Sequence, residues 1–434
     1  MDSLERYTNW FRGSTPYISA HRGKTFVVFL GGDALAHSNL ANIVHDLALL
    51  NVLGVRLFIV HGGRPQLDAT FSDSHFHAGR RITSASQMLE INGIYGALRA
   101  KLEALFSTGL PNTPLHNVEI TLVSGNFVAA QPIGIIGGVD HQCTGRLRSA
   151  HVDAVQKLLD SQAIVLQSPV GFSASGQAFN LAAEELAAEL AAALGADKLI
   201  MFNDPGHLTN DDNQRISRVT PNLLNEICAG LDPVTVARCQ ALVSANTQGV
   251  ERGHLIAFAN DGALLQELFT ADGIGTQVST HNEDLIRQAQ LEDVADIVEI
   301  IRPLEDDGVL VPRSRAQLEH EIGHFFIAEL DGVVVGCCAV YVFADTAELA
   351  CVAVHENYRH QYSDMGIGSA LLETAEQAAA AQGANNIFVL TTQTQEWFVS
   401  HGFAPADVES LPSSKQSLYN WQRGAAVLQK HLNA

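Results

Sequence analysis

The chain has 434 residues, enough for two or three domains that each bury a core of their own. Hydrophobic residues make up 47% of the chain and charged residues only 17%, which excludes a disordered protein. The formal net charge of -21 argues against nucleic acid and anionic membranes as partners.

The six cysteines form no C-x-x-C pair and have no metal-ligand spacing, so we expect a reducing compartment and no bound metal. Residues 1–22 are polar and lack the apolar core of a signal peptide. No stretch reaches the roughly 18 apolar residues that a membrane helix needs. These features predict a cytoplasmic protein.

Short apolar runs alternate with helix-like stretches from residue 25 to about residue 280. A helix is predicted at 181–194, with Asn180 available as its N-cap and Gly195 ending it. The predicted strands are 25–30, 55–60, 120–123, 163–166 and 198–202. This alternation predicts a parallel sheet enclosed by helices.

Two glycine pairs, Gly31-Gly32 and Gly62-Gly63, each follow a predicted strand and would let backbone amides face an anion. The segments FLGGDAL and VHGGRPQL contain these pairs, and with VSGNFV and the long segment 179–201 they resemble the amino acid kinase family. The closest resemblance is to the N-acetylglutamate kinases. The resemblance implies a three-layer αβα domain over residues 1–280.

This kinase-like domain departs from the kinase pattern where phosphoryl transfer needs cations. Phe29 stands where the kinases have a lysine before the first glycine pair, and Asp212 stands where a second lysine follows. Asn180 and Glu184 keep part of the kinase pattern, although helix capping and solvation explain them equally well. The sequence predicts kinase architecture without kinase activity.

The same domain resembles the arginine-sensitive kinases and synthases in its N-terminal helix, predicted over 10–22, and in the segment LLQELFTADGIGTQV. The resemblance implies an arginine site in which Glu267 pairs with the guanidinium, Lys198 lies nearby and Gly273 admits the ligand against backbone. Taken alone, Glu267 is typical of a solvated helix residue. The resemblance also implies a homo-oligomer, a hexamer in that group.

The segment 273–284 is small, polar and aperiodic, so we place a domain boundary near residue 280. The second domain, 281–434, contains four predicted strands at 325–330, 333–343, 348–354 and 386–390. Asp331 and Gly332 supply a hairpin turn between the first two of these strands.

A glycine turn, MGIGS at 365–369, runs directly into a predicted helix. Its backbone amides and the helix N-terminus suit a pyrophosphate, although the glycines alone indicate no more than a turn. The order of strand, glycine turn, helix, strand and aromatic turn (396–403) resembles the α+β fold of the GNAT-type N-acetyltransferases, with Ser363 where that family usually has Arg or Gln. The resemblance implies that acetyl-CoA is the co-substrate and that Cys351, Val352, Val354, Met365, Gly366, Ile367, Gly368 and Ser369 bind it.

Acyl transfer to an amine needs a neutral nitrogen, a polarised thioester carbonyl and a proton for the leaving thiolate. Glu348 begins the strand beside the glycine turn and is a candidate base, although a solvated strand-end charge explains it equally well. The backbone of Cys351 and Val352 would polarise the thioester. The Cys351 side chain is more typical of a buried hydrophobe than of a nucleophile.

Residues 284–434 contain eight basic residues, and four of them lie in the short motifs VPRSR (Arg313, Arg315), SSKQ (Lys415) and YNWQR (Arg423), although solvation is the default for any one of them. The segments GVLVPRSR, LTTQTQEWFVSHGF and LPSSKQSLYNWQR resemble segments of the N-acetylglutamate synthases. The resemblance implies that Arg313, Lys415 and Arg423 hold the carboxylates of glutamate and that Glu348 is the base. Bidentate pairing gives a physical reason for arginine at such places.

Three functions remain as alternatives. The leading one is an L-glutamate N-acetyltransferase that begins arginine biosynthesis and is regulated by L-arginine. A catalytically silent arginine sensor is opposed by the glycine turn and the basic residues around the acceptor. An N-acetylglutamate kinase is opposed by Phe29 and Asp212.

Overall fold

The computed structural model describes residues 12–77, 79–109, 115–210, 213–228, 230–270, 273–279, 286–330, 333–355, 367–416 and 424–432. The chain divides into two compact units, Met1–Thr280 and His281–Ala434. No helix in the described part of the chain combines the length and apolarity that crossing a membrane requires.

The first unit alternates helices and strands. Its helices are α1 (Thr15–His21), α2 (Gly32–Ala36), α3 (Leu40–Val52), α4 (Arg64–Thr70), α5 (Ala85–Phe106), α6 (Val152–Asp160), α7 (Ala183–Ala193), α8 (Pro221–Cys228), α9 (Pro233–Thr247) and α10 (Ala263–Phe269). Its longer strands are β1 (Thr25–Leu30), β2 (Arg56–His61), β5 (Leu122–Ser124), β6 (Val128–Pro132), β9 (Gly145–Ala150), β10 (Ile164–Gln167), β11 (Val170–Phe172), β12 (Ala178–Asn180), β13 (Lys198–Asn203), β17 (Arg252–Ala257) and β18 (Thr276–Val278). Its two-residue strands are β3 (Phe76–His77), β4 (Arg80–Arg81), β7 (Ile135–Ile136), β8 (Val139–Asp140), β14 (Leu208–Thr209), β15 (Arg215–Ile216) and β16 (Arg218–Val219).

The main sheet of this unit has the order β16-β18-β17-β13-β1-β2-β10-β5. Its strands pair in parallel except for β18 against β17. Along β1, Phe26 and Val28 enter one hydrophobic core while Val27 and Phe29 enter the other. Because both faces are covered, the strand is apolar throughout, and the predicted three-layer αβα architecture is confirmed.

The predicted helix at 181–194 is confirmed as α7, which Gly195 follows at a φ of 60°. The proposed cap is wrong. Asn180 ends β12, where pairing with β11 keeps its backbone extended, and Ala182 occupies the cap position without a side-chain bond. The Asn180 amide instead donates to Thr83 and accepts from the Tyr95 hydroxyl.

The second unit contains the helices α11 (Val294–Asp306), α12 (Arg315–Glu321), α13 (Ile367–Ala381), α14 (Gln395–Ser400) and α15 (Ser413–Gln416). Its strands are β19 (Ile286–Gln288), β20 (Phe325–Leu330), β21 (Val333–Phe343), β22 (Thr346–Val354), β23 (Asn386–Thr391), β24 (Ala404–Pro405) and β25 (Ala426–His431), in the sheet order β19-β20-β21-β22-β23-β25-β24. The predicted strands 325–330 and 333–343 are confirmed with their ends, and the predicted strands 348–354 and 386–390 are confirmed as β22 and β23 with one end shifted. The Asp331-Gly332 turn lies outside the described residues.

The core of the second unit lies on both faces of this sheet. Ile297 and Ile301 of α11 pack with Cys337 of β21 on one face. On the other face, Cys338 donates its thiol to the backbone oxygen of Leu371 in α13. The described pairs are antiparallel except β22 with β23, so the predicted α+β fold is confirmed.

Candidate active site

The strands β22 and β23 pair over only part of their lengths. Thr346–Leu349 in β22 matches Asn386–Val389 in β23, and both strands continue beyond that pairing. Glu348 lies opposite Phe388, one residue before the pairing ends. The candidate base therefore stands beside the place where the two parallel strands part.

A β-bulge lies just beyond this point. Cys337 pairs with Ala353 and Ala339 pairs with Ala350, so one residue of β21 faces Cys351 and Val352 of β22. Cys351 has a left-handed φ of 52°, which re-aims the local backbone. Its side chain is buried in the apolar cluster beneath α11, as a small hydrophobe would be.

The first turn of α13 is covered by aromatic side chains. A Cβ at Gly368 would lie 3.2 Å from the Trp397 ring, so glycine permits this close packing. Trp397 stacks on His401 with ring centroids 4.3 Å apart, and His401 Nε2 lies 2.8 Å from Ser369 Oγ. Met365 and Gly366 lie outside the described residues, as does Ser363.

Glu348 is 7% exposed and forms an ion pair with Lys415, whose Nζ lies 2.6 Å from Glu348 Oε2. The alternative of a solvated strand-end charge is therefore wrong. Lys415 belongs to α15, and its ammonium lies 5.9 Å and 5.7 Å from the ring centroids of Tyr341 and Phe343. The two rings attract the ammonium and keep water away from it, so water screens the attraction between Lys415 and Glu348 less.

Arg313 interacts with Tyr341, the residue of β21 that pairs with Glu348 of β22. The Tyr341 hydroxyl donates to Glu321 Oε2 at 2.6 Å, and Arg313 interacts with both side chains. Burial and the Glu321 carboxylate raise the pKa of Tyr341, which keeps its hydroxyl protonated. Arg315 instead pairs with Glu319 on the exposed side of α12.

Arg313, Glu348 and Lys415 thus gather around Tyr341, whereas Arg423 lies outside the described residues. Sequence reasoning missed Tyr341, Glu321 and Phe343. Tyr341 and Phe343 alternate along β21 and share a face, a period-two signal that could have identified them. Glu321 ends a short helix and gave no such signal.

The three predicted effector residues come together in the first unit. Glu267 accepts from the backbone N–H groups of Ile274 and Gly275, each at 2.8 Å, and lies 2.7 Å from His254 Nδ1. The Glu267 side chain is only 5% exposed, so the alternative of a solvated helix residue is wrong. Gly273 has a φ of 51°, and a Cβ there would collide with the Glu267 carboxylate.

Burial and hydrogen bonds shift the pKa values of the charged side chains in this cluster. Burial lowers the pKa of Lys198 to about 7, with Arg252 acting in the same direction. Burial alone would raise the pKa of Glu267, but the bonds from His254 and the two amides lower it to about 2. The backbone oxygen of Leu268 lies 2.9 Å from Nε2 of His21, which ties α1 to α10 beside the cluster.

The two glycine pairs line a cavity of about 530 Å³, together with Arg64, Asn180 and Glu184. Beside it, Arg238 is 2% exposed and donates to both carboxylate oxygens of Asp33 at 2.8 and 2.7 Å. The guanidinium lies 5.7 Å from the centroid of the Phe29 ring. Asp211 and Asp212 lie outside the described residues.

Two known domains match the chain: the amino acid kinase family over residues 24–248 and the acetyltransferase (GNAT) domain over residues 321–405. An amino-acid acetyltransferase from Escherichia coli (strain K12) is 44% identical over 97% of this chain and 97% of its own length. One from Pseudomonas putida (strain GB-1) is 43% identical over 98% and 99%.

Two structures of N-acetylglutamate synthase from Neisseria gonorrhoeae cover 99% of this chain and all of their own. The complex with coenzyme A and L-arginine is 32% identical with a TM-score of 0.86. The complex with coenzyme A and N-acetyl-glutamate is 33% identical with a TM-score of 0.63.

An amino acid kinase-type domain followed by a GNAT domain defines a two-domain acetyltransferase. Because relatives at 43% and 44% identity align over nearly the whole chain, the chain belongs to the amino-acid acetyltransferase family. The predicted N-acetyltransferase activity and the predicted use of acetyl-CoA as co-substrate are confirmed.

Proposed function

We propose that the protein transfers the acetyl group of acetyl-CoA to L-glutamate, and that L-arginine regulates this first step of arginine biosynthesis. The observation that carries the proposal is the buried Glu348–Lys415 pair, which stands with Arg313 where β22 and β23 part. A buried base beside cations suits an amine that carries carboxylates. The gonococcal structure with coenzyme A and N-acetyl-glutamate supports this acceptor.

Glu348 takes a proton from the ammonium of glutamate, directly or through a water molecule. The freed nitrogen attacks the thioester carbon, a C–N bond forms, the C–S bond breaks, and the coenzyme A thiolate takes up a proton. The re-aimed backbone at Cys351 and Val352 would polarise the thioester carbonyl. Cys351 forms no covalent intermediate in this reaction, in keeping with its apolar surroundings.

Coenzyme A would lie along Val352 and Val354 and against the first turn of α13, with Met365, Gly366, Ile367, Gly368 and Ser369 around its pyrophosphate. The partial positive charge at a helix N-terminus supports this assignment. Arg313, Lys415 and Arg423 would hold the two carboxylates of glutamate. The acidic character of the rest of the domain makes such a set of cations necessary.

Arginine would bind at the cluster formed by Glu267, Lys198 and Gly273. The buried carboxylate of Glu267 offers charge for a guanidinium, which would take the place that the His254 imidazole occupies. The gonococcal structure that contains L-arginine supports an effector of this kind. Regulation requires that arginine bind two arrangements of the protein with different affinities.

The kinase-like domain would not transfer phosphate. Arg238 neutralises Asp33 beside the glycine pairs, and the apolar Phe29 stands before the first pair, so neither supplies a free cation for a γ-phosphate. The domain would instead hold the effector and join the subunits of a cytoplasmic homo-oligomer, a hexamer by resemblance. Light scattering reads the subunit number from multiples of the chain mass of 46.6 kDa.

The test is a pair of assays on the purified full chain. With acetyl-CoA and L-glutamate together, free thiol and N-acetyl-L-glutamate should appear in equal amounts, whereas either substrate alone should give background. With ATP and N-acetyl-L-glutamate, no ADP should form. Equal efficiency with other amino acids would overturn the acceptor assignment, and ADP formation would overturn the loss of kinase activity.

A further inference from the structure

The contact between Glu348 and Lys415 joins the proposed base to a residue of the proposed acceptor-binding set. The side chains are 9% and 27% exposed, and the charged atoms are 2.6 Å apart. Lys415 therefore occupies an oxygen of the carboxylate that has to receive the acceptor's proton. While Lys415 stays on Oε2, its positive charge opposes the approach of the acceptor's ammonium and weakens the carboxylate as a base.

Separating this pair without replacement is costly, because the Glu348 carboxylate, which is 9% exposed, would be left as an unpaired charge largely away from water. A ligand that brings a cation for Glu348 and an anion for Lys415 removes that cost, since two ion pairs replace one. An α-amino acid carries such a pair of charges on two groups that are bonded to the same carbon atom. Its amino nitrogen and carboxyl carbon lie about 2.5 Å apart across one tetrahedral carbon.

We propose that the acceptor enters by ion-pair exchange: its α-ammonium takes the place of Lys415 on Glu348, while its α-carboxylate takes the place of Glu348 on Lys415. This rests on the proposed function and deepens it, because it assigns Lys415 to the α-carboxylate. The side-chain carboxylate is then left to Arg313. Amines without an adjacent carboxylate cannot open the pair.

The surroundings of Lys415 favour a short movement over a large one. The rings of Tyr341 and Phe343 both lie within 6 Å of the ammonium and attract it independently of Glu348. Arg313 interacts with Tyr341 at its hydroxyl end, where the ring meets Glu321. Lys415 and Arg313 therefore lie at different parts of Tyr341, so each can bind one carboxylate of an acceptor that has two.

The test compares three acceptors that differ by one charge: L-glutamate, its α-amide (isoglutamine) and its γ-amide (glutamine). Each is assayed for kcat and KM in the parent enzyme, in Lys415→Met and in Lys430→Met. Lys430 is a matched control, because it is also 27% exposed and pairs with Glu376 of the same unit at 2.6 Å. Acetyl-CoA is held at saturation throughout.

In the parent and in Lys430→Met, the α-amide should lower kcat/KM at least about thirtyfold relative to glutamate, because it leaves the internal pair without an anion to exchange. In Lys415→Met this α-amide penalty should shrink to less than about threefold. The γ-amide penalty should keep its parent value in both variants. Lys415→Arg, which restores a cation, should restore the α-amide penalty.

Two outcomes contradict the exchange. If Lys415→Met removes the γ-amide penalty instead, Lys415 binds the side-chain carboxylate. If neither penalty changes, Lys415 stays on Glu348 throughout the cycle and serves only to hold it. Failure of the parent enzyme to acetylate any of the three acceptors would contradict the proposed function itself, so the two failures are distinguishable. Circular dichroism of each variant establishes that it is folded.

Discussion

Tyr341 and Glu348 are paired residues of two antiparallel strands, so their side chains share one face of the sheet. Through this single pair the structure connects the hydrogen-bonded Glu321 and Arg313 on one side with the ion-paired Lys415 on the other. The chemistry of the site therefore depends on the register of β21 and β22. A slip of either strand by one residue would turn that strand's side chain to the opposite face and separate Tyr341 from Glu348.

Glu348→Gln should lower kcat by roughly the 10²–10⁴ typical of removing a general base, because the amide keeps the shape and cannot take a proton. The acid limb of the pH–rate profile should disappear with it. The measurement is kcat against pH with both substrates at saturation. Glu376→Gln, which loses the equivalent carboxylate of the Lys430 pair, should keep the parent profile.

If Glu348→Gln turns over at nearly the parent rate, the ammonium of glutamate loses its proton to bulk water. Glu348 is then only the buried partner of Lys415. The thermal midpoint of the variant should be recorded alongside the rate. If Glu348→Gln keeps the acid limb of the parent pH–rate profile but has a lower thermal midpoint, the role of Glu348 is structural only.

Arg313→Ala should raise the KM for glutamate and cost about 2–5 kcal/mol in kcat/KM, since it leaves a desolvated carboxylate unpaired. Arg423→Ala should act in the same way. Arg315→Ala is the matched control, because its guanidinium pairs with Glu319 on the exposed side of α12 and should have almost no effect. Equal losses in Arg313→Ala and Arg315→Ala would remove Arg313 from the acceptor site.

The buried histidines His254 and His21 should each contribute a loss of stability to the first unit as the pH falls from about 6.5 to about 4. Burial lowers the pKa of His254 to about 4 and that of His21 to about 3, both below the ordinary 6.5. At these two sites the unfolded chain binds protons in this range that the folded chain does not, which decreases the free energy of unfolding with decreasing pH. Burial lowers the pKa of His61 to about 4 with the same effect, whereas burial raises the pKa of Asp46 and Glu189 to about 7, and these carboxylates act in the opposite direction. Calorimetric scans of the full chain across this range measure the slope.

His254→Gln should remove one histidine's contribution, so that the variant loses less stability between pH 6.5 and 4 than the parent does, because the amide can still donate to Glu267 and does not titrate. His45→Gln is the control, since the replaced imidazole lies outside this cluster. The stability that Glu267 contributes is present above pH 4.5, its ordinary value, and is lost only as the pH falls toward 2. If His254→Gln leaves the change of midpoint between pH 6.5 and 4 as it is in the parent, His254 is not buried in its neutral form.

The sequence predicts most of the fold because periodicity and turn residues are local properties. The apolar strands of the first sheet and the helix ended by Gly195 follow from it directly. Asn180 was misplaced as a cap because its partners, Thr83 and Tyr95, are distant in sequence and decide its role through tertiary contacts. A short polar residue before a helix has the same local pattern in both roles.

The candidate site was predictable in its residue types but not in its pairings. Glu348 and Lys415 came from separate motifs with separate roles, and only the fold brings them into contact. The sequence also does not predict which carboxylates are buried. The local sequences of Glu348 and Glu267 are compatible with a solvated charge, yet both side chains are buried with partners. A single sequence without the register of its strands does not contain that information.

Glu267→Ala should abolish the response of acetylation to L-arginine while leaving the arginine-free turnover close to that of the parent. Glu267 lies in the kinase-like unit, and its carboxylate is the buried anion on which a guanidinium would dock. Because alanine also removes the acceptor for Ile274 and Gly275, Glu267→Gln serves as a second variant that keeps the oxygen and loses the charge. Glu226→Ala, which removes an exposed carboxylate on α8, is the control.

Calorimetric titration of each full-length protein with L-arginine, paired with initial rates of acetylation, separates arginine binding from its effect on the rate. Loss of heat and of the rate response in both Glu267 variants supports the site, whereas an unchanged response in either variant places arginine elsewhere. Binding that persists without a rate response in the parent would make the domain an assembly scaffold, because a ligand with equal affinity for both arrangements shifts neither.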